Sequence, residues 1–239
     1  MNIEWDNLAY RLSSGRQSNF EAYMNHIRPT LTQGTIDTIY MVGWASLFAI
    51  IFGMAIGLLL YITQQGSIHP MPIVNRVVGI VVNIGRSIPF VVMIILVFPL
   101  SRHIVGTSIG RTAAIVPLTI AAIPFMSRVI EAALNELPHG IIEAATAAGA
   151  TTRQIIFRVI LPESAPGLVS GFTLLIINLI TFSAMAGIVG GGGLGHLANS
   201  YGLQRHRTDI LMYVVIILVI LVQIIQAIGS VISRKLDKR

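Results

Sequence analysis

Five apolar stretches, each long enough to cross a lipid bilayer, constrain this chain more than any other feature. They run over residues 36–62, 77–100, 112–130, 166–189 and 210–232. At about 1.5 Å per helical residue, each reaches across the roughly 30 Å of bilayer hydrocarbon. Only 11% of the residues are charged, so the apolar surface has to face lipid. The sequence therefore predicts an all-α integral membrane protein with five transmembrane helices.

Small residues and prolines within these stretches indicate where helices pack closely or bend. Gly53 and Gly57 form a GxxxG pair, a spacing that allows two membrane helices to approach each other closely. Pro89 lies in the second stretch, and Pro117 and Pro124 lie in the third. Membrane helices tolerate proline kinks when neighbouring groups satisfy the freed backbone carbonyls. We therefore expect continuous helices that bend at these prolines.

Residues 1–33 are more polar than the rest of the chain. They lack the apolar run of a secretory signal peptide, so the first apolar stretch would direct membrane insertion. Ser18 and Glu21 have the spacing of a capping box at a helix start. A short amphipathic helix on the membrane surface and an unstructured extension both fit this segment. The predicted division is an N-terminal extension over 1–33, a membrane domain over 34–232 and a basic cytoplasmic tail over 233–239.

The residue composition and the distribution of the charged residues exclude several functions. The net charge is +6, but the basic residues lie singly between apolar runs, which argues against nucleic-acid binding. The absence of cysteine excludes thiolate metal sites and thiol catalysis. A nucleotide-binding P-loop needs a lysine after glycine, yet Lys235 and Lys238 follow Arg234 and Asp237. We expect no cofactor in this chain, so any ATP and Mg²⁺ would bind to a separate subunit.

Two short motifs match the residue patterns of enzyme signatures but lack the structural context that these signatures require. Gly190–Gly195 fits the dinucleotide-binding fingerprint but follows an apolar span, so a glycine-rich bend explains it better. Gly106–Gly110 fits the nucleophile elbow around Ser108, with His103 nearby. No carboxylate occurs over residues 38–130 to complete a catalytic triad. A membrane-embedded serine hydrolase is therefore the alternative from another class, and we expect no catalytic residue.

Arg86 is the one charged residue well inside a predicted span. Charged residues within a membrane are costly and are often functional. Arg86 lies about ten residues into its stretch, so its side chain is predicted to extend to the cytoplasmic face. This position favours a structural or coupling role over a substrate contact. The spans contain no interior carboxylate, which argues against a proton-driven carrier.

The segment over residues 131–165 separates the third and fourth spans and is predicted to form two short helices outside the lipid. Within it, Glu143–Ala145 is followed by Gly149 and then by Leu161 and Pro162. These positions match the pattern EAA-x3-G-x9-I-x-LP, except that valine replaces the isoleucine. The pattern resembles the EAA loop of type I bacterial ABC importer permeases.

The resemblance covers about residues 34–232 and is closest to the permeases that import methionine. It extends to the segments Arg86–Phe90, Gly106–Gly110, Ala113–Thr119, Ser183–Met185 and Gly190–Gly195. It implies that the loop forms a cytoplasmic coupling helix, which docks on an ATPase subunit. Gly149 is a residue type that ends a helix in the left-handed conformation. The coupling residues that the resemblance implies are Glu143, Ala144, Ala145, Gly149, Leu161 and Pro162.

The resemblance also implies an assembly and a location. It implies a homodimer with two ATPase subunits and an external methionine-binding protein. The complex would lie in the bacterial inner membrane, with the N-terminus outside and the C-terminus cytoplasmic. The basic residues alone divide almost evenly between the two sides and do not fix this orientation.

Methionine is the expected substrate, and another amino acid or a quaternary amine is the alternative. The glycine-rich ending of the fourth span also resembles permeases for quaternary amines, so it does not choose between them. We expect a mainly apolar pathway, because a thioether needs few polar contacts. The candidate pathway residues in the fourth span are Asn178, Ser183 and Met185.

Overall fold

The chain is helical in nearly all of the part that the structure describes. The computed structural model describes residues 3–237, without the side chains of residues 3–24, 26 and 139. Within this part the helices are α1 (Ile3–Thr63), α2 (Pro72–Ser87), α3 (Phe90–Val105), α4 (Arg111–Asn135), α5 (His139–Ala147), α6 (Thr152–Gln154), α7 (Leu161–Glu163), α8 (Ala165–Ala186), α9 (Gly193–Leu197) and α10 (Thr208–Leu236). Three π-helical stretches continue this series, at Ile155–Ile160, Gly187–Gly191 and Ala198–Leu203.

Five apolar regions are present, as predicted, but the second is not one helix. The helices α1, α4, α8 and α10 are each long and apolar enough to cross a membrane. The pair α2 and α3 meets this criterion only together, with a bend of 103° between them. Ile88 is extended because the residue before a proline is disfavoured in the helical region. The predicted continuous helix over 77–100 is therefore wrong, since Pro89 separates two helices. By contrast, α4 continues through Pro117 and Pro124.

The predicted GxxxG pair lies where α1 packs against α4. A Cβ atom on Gly53 would lie 2.8 Å from Met126 Cβ. A Cβ atom on Gly57 would lie 2.6 Å from the Ser127 carbonyl oxygen and 2.8 Å from Ile130 Cβ. Glycine at both positions therefore allows close helix packing, and the prediction of a close-packing surface is confirmed.

Two polar contacts define opposite ends of the bundle. At one end, Arg111 Nη1 lies 2.7 Å from Asp37 Oδ1. At the other, Gln64 Nε2 donates a hydrogen bond to Asn135 Oδ1 at 2.8 Å. Because both contacts join α1 to α4, these two helices run parallel. We call the two ends the Arg111 end and the Asn135 end; Ser233 on α10 bonds to the start of α8 at the Asn135 end.

Helix α1 extends well before the first apolar stretch. Its backbone is helical from Ile3 to Thr63, so the predicted helix start at Ser18 is wrong. Ile27 and Leu31 are buried against apolar residues of α9 and α10. The predicted boundary at residue 33 falls within this helix, and the division into an extension and a membrane domain stays a prediction.

A glycine-rich turn follows α8 at the Arg111 end. Gly190, Gly192 and Gly193 have φ angles of +98°, +83° and +74°. Glycine adopts this left-handed region readily, whereas residues with a Cβ atom do not. The turn brings α9 back against α8, where Gly195 lies directly against the Ala184 backbone. The predicted glycine-rich bend is confirmed.

Candidate coupling loop and substrate pathway

The loop between α4 and α8 consists of short helices at the Asn135 end, as predicted. Ile155, Ile156 and Ile160 are buried in the main apolar core, and Ile142 and Ala145 pack against it. These apolar side chains attach the loop to the membrane bundle. On the opposite face of α5, which we call the free face, the described side chains are exposed.

The free face of α5 carries the beginning of the EAA pattern. Glu143 and Ala144 are exposed, and Ala145 is half-buried. Among the residues that the structure describes, Glu143 has no hydrogen-bond or ion-pair partner. A carboxylate beside small side chains can accept a charge-assisted hydrogen bond from a closely packed cationic group.

Gly149 ends α5 in the conformation predicted from the sequence. Its φ angle is +76°. The Gly149 N–H donates to the Thr146 carbonyl at 3.0 Å, and the Ala150 N–H donates to the Ala145 carbonyl at 3.1 Å. These two bonds form a Schellman motif, which satisfies carbonyls at the end of the helix. The glycine thus fixes where the exposed face stops and where the chain turns back to the core.

A capping box starts the next helix. The Thr151 N–H donates to Gln154 Oε1 at 2.8 Å, and the Gln154 N–H donates to Thr151 Oγ1 at 3.4 Å. The T-x-x-Q spacing is the sequence signal for this box, which was not among the predicted features. Further along, Leu161 packs against the core, while Pro162 is exposed in the first turn of α7.

The loop also contacts the link between α1 and α2. His69 Nε2 lies 3.0 Å from Thr152 Oγ1. A groove separates the two segments, and Tyr61 and Gln64 line one side while Glu143 lines the other. The direct contact of the loop with this link is therefore made by Thr152 of α6.

The three candidate pathway residues do not share one face of α8. Asn178 and Met185 are seven residues apart, which places them on the same side of the helix. Asn178 is half-buried and Met185 is 39% exposed. Ser183 is 2% exposed, and its hydroxyl donates to the Ile180 carbonyl at 2.7 Å. The structure thus separates Ser183 from the other two, and their role in transport stays a prediction.

Ser108 and His103 line one surface cavity near the Arg111 end. The other lining residues include no carboxylate. Among the described residues, no hydrogen bond joins the two side chains. In the described residues, this cavity therefore shows neither the serine–histidine hydrogen bond nor the orienting carboxylate of a catalytic triad.

Arg128 forms a polar cluster that the sequence analysis missed. Its Nη1 atom lies 2.6 Å from Glu131 Oε2, an i,i+3 pair. Its Nη2 atom donates to the Gly79 carbonyl at 3.1 Å and to Asn83 Oδ1 at 3.0 Å. The cluster ties α4 to α2 within the membrane-spanning bundle. The i,i+3 spacing of Arg128 and Glu131 is the sequence feature from which this ion pair could have been predicted.

Arg86 lies in the last turn of α2, just before the bend. Its side chain is exposed. Arg86 thus lies within the second apolar region, but at the end of a helix that is broken there and not inside a continuous one. A cation in the last turn of a helix interacts favourably with the helix dipole.

The helices and the loop agree with one family of membrane proteins. The family described as "Binding-protein-dependent transport system inner membrane component" matches residues 53–239, which is most of the chain. The chain belongs to this family. The resemblance to ABC importer permeases is thereby confirmed, and this member is an inner-membrane transport component.

Curated relatives in this family cover nearly the whole chain. A probable D-methionine transport system permease protein MetI of Vibrio cholerae is 48% identical over 210 residues, covering 87% of this chain and 93% of its own length. The methionine import system permease protein MetP of Bacillus subtilis is 44% identical over 221 residues, covering 92% of this chain and 100% of its own length.

Solved permease structures share the fold. A chain of the MetNI methionine ABC transporter in an inward-facing conformation has a TM-score of 0.87 at 43% identity, covering 89% of this chain and 98% of that one. A chain of an amino acid ABC transporter with histidines has a TM-score of 0.73 at 20% identity, covering 90% of this chain and 97% of that one. The predicted all-α permease fold is confirmed by the first of these matches.

Proposed function

We propose that this chain is the membrane-spanning subunit of an ATP-driven importer of methionine. The observation that carries the proposal is the identity of 44–48%, over 87–92% of the chain, to permeases named for methionine. The family match over residues 53–239 also spans the EAA loop and the glycine-rich turn, so it is not confined to apolar helices. We infer that the chain itself hydrolyses no ATP, and that ATP and Mg²⁺ bind to a partner ATPase.

The free face of α5 supports a coupling role for the loop. Glu143 offers an unpaired carboxylate, and Ala144 leaves room for a partner surface to approach. The Schellman motif at Gly149 and the apolar contacts of Leu161 hold this face in place. In the proposal, the ATPase binds here, and Pro162 lies at the edge of the docking surface.

The proposed assembly contains two copies of this chain, two ATPase subunits and an external methionine-binding protein. The coupling loop and the end of α10 lie at the Asn135 end, so this end is proposed to be cytoplasmic. The basic residues Arg234 and Lys235 in the last turn of α10 agree with that orientation. The Arg111 end would then face outward and receive the substrate.

Transport requires two packings of the membrane helices, one open to each side. Closure of the ATPase dimer would displace α5, and contacts such as His69–Thr152 would pass this displacement to the membrane helices. The break between α2 and α3 provides a place where one half-helix can move relative to the other. The pathway would run along the face of α8 that carries Asn178 and Met185.

Uptake of labelled L-methionine into proteoliposomes tests this function. The vesicles would contain this chain, its ATPase and its binding protein, with ADP in place of ATP as the control. ATP-dependent accumulation that excess unlabelled methionine blocks is the expected result.

Two other outcomes are informative. ATP hydrolysis that the binding protein stimulates, without methionine uptake, would keep the importer class and shift the substrate to another amino acid or a quaternary amine. Absence of both activities would contradict the proposal. The Ser108→Ala variant should retain full uptake, because Ser108 has no catalytic role in this assignment.

A further inference from the structure

Arg86 lies at mid-depth in the membrane-spanning bundle. It directly follows Gly85, where a Cβ atom would lie 2.6 Å from Pro124 Cγ. Pro124 is near the middle of α4, whose two ends define the Arg111 end and the Asn135 end. The Arg86 backbone is therefore far from both the Arg111 end and the Asn135 end of the bundle.

No carboxylate among the described residues neutralises Arg86 at that depth. The Arg86 side chain is exposed, and it has no hydrogen-bond or ion-pair partner among the described residues. Asp37 is paired with Arg111 at one end, and Glu131 is paired with Arg128 toward the other. Neither α8 nor α10 after Asp209 contains an acidic residue. A second copy of the chain has the same sequence, so its membrane helices carry carboxylates only at these same positions.

The Arg86 side chain is too short to reach the lipid headgroups. Pro72, the first residue of α2, lies about 21 Å along the helix from Arg86, which is further than an arginine side chain extends. This distance argues against the predicted extension of Arg86 to the cytoplasmic face. Charged residues at mid-membrane depth face the bundle interior or a water-filled cavity, because exposure to lipid is costly.

We propose that Arg86 binds the carboxylate of the transported amino acid in the translocation pathway. This inference rests on the proposed function. A guanidinium group can bind a carboxylate with two parallel hydrogen bonds. The substrate would thus supply the counter-charge that the membrane helices of both copies lack.

The absence of cysteine from the chain permits a direct test. The Arg86→Cys variant, assembled with its ATPase and binding protein in proteoliposomes, carries the only thiol of this subunit. A water-soluble methanethiosulfonate reagent would be added during transport, and modification would be read from the mass of this chain. The matched control is Val81→Cys on the same helix, where the native side chain is 63% exposed and apolar.

We expect the Arg86→Cys thiol to react from water, and the Val81→Cys thiol to remain unmodified in lipid. L-Methionine should slow the reaction at position 86. Uptake by unmodified Arg86→Cys should fall about tenfold to a hundredfold, the range for loss of a charge-assisted hydrogen bond. Attachment of an ethylammonium group should restore much of the uptake, whereas attachment of a neutral methylthio group should not.

Three results would overturn the inference. These are wild-type uptake by the Arg86→Cys variant, equal restoration by the neutral and cationic reagents, or a parallel loss of uptake and assembly that the cation does not reverse. In each case the unsubstituted chain would still transport methionine. Failure of the unsubstituted chain to transport methionine would instead contradict the proposed function.

Discussion

Arg111 Nη1 lies 2.7 Å from Asp37 Oδ1 and joins the start of α4 to α1. Gln33 Nε2 donates to the same oxygen at 2.8 Å. The Arg111 guanidinium also lies over the Tyr40 ring, with Cζ 4.9 Å from the ring centroid. This cluster fixes the register of two parallel helices at the end of the bundle proposed to face outward.

Asp37→Asn should destabilise the protein only modestly. The Arg111 side chain is 44% exposed, so solvent screens the pair, and we expect a loss of about 0.5–1 kcal/mol in the free energy of unfolding. Thermal unfolding in detergent measures this change. Asp209→Asn is the control, because its pair with Arg207 joins residues only two positions apart. A larger loss for Asp209→Asn would contradict the assigned role of the Asp37 pair.

Gly57→Ala should disturb the contact between α1 and α4. The added methyl group would overlap the Ser127 carbonyl oxygen, which is part of a helix backbone and cannot rotate away. Overpacking of this kind costs about 1–3 kcal/mol. Gly43→Ala on the same helix is the control, because a Cβ atom there meets no atom within 4 Å. Equal yields and unfolding temperatures of the two purified variants would count against close packing at Gly57.

Gly149→Ala should weaken the end of the coupling helix. A Cβ atom there would meet open space, so the cost is the left-handed backbone itself, about 1–2 kcal/mol for a residue with a side chain. Gly140→Ala is the control within α5, since that site is also open but has no positive φ angle. Unfolding and uptake measured on both variants should show a loss only for Gly149→Ala. A similar loss in both would contradict the conformational explanation.

Glu143→Arg should abolish coupling while membrane insertion remains normal. The substitution places a cation where the proposed docking surface needs a carboxylate, so we expect uptake to fall about a hundredfold. The same change at Glu136, an exposed residue outside the EAA pattern, should have a small effect. Uptake and binding-protein-stimulated ATP hydrolysis would be measured together. Normal uptake by Glu143→Arg would remove the coupling role from this residue.

Much of the fold is predictable because the signals are local. The lengths of the apolar stretches identify α1, α4, α8 and α10, since a helix must satisfy its backbone groups within lipid. Gly149 identifies the end of α5 by residue type alone. The other features of the fold depend on how the helices pack. Pro89 separates two helices, whereas Pro124 lies inside α4, although both residues lack a backbone N–H. Sequence alone does not distinguish these two cases.

The sequence by itself determined that this chain spans a membrane, carries an EAA loop and lacks a P-loop lysine, because each of these depends on residue type and spacing along the chain. Only the tertiary structure decided which charges are paired. Asp37 forms an ion pair with Arg111, which is 74 positions away in the chain, whereas Arg86 has no partner among the described residues. The 103° angle between α2 and α3 and the burial of Ser183 also depend on packing. Such contacts arise between helices that are distant in the chain, so no local pattern specifies them.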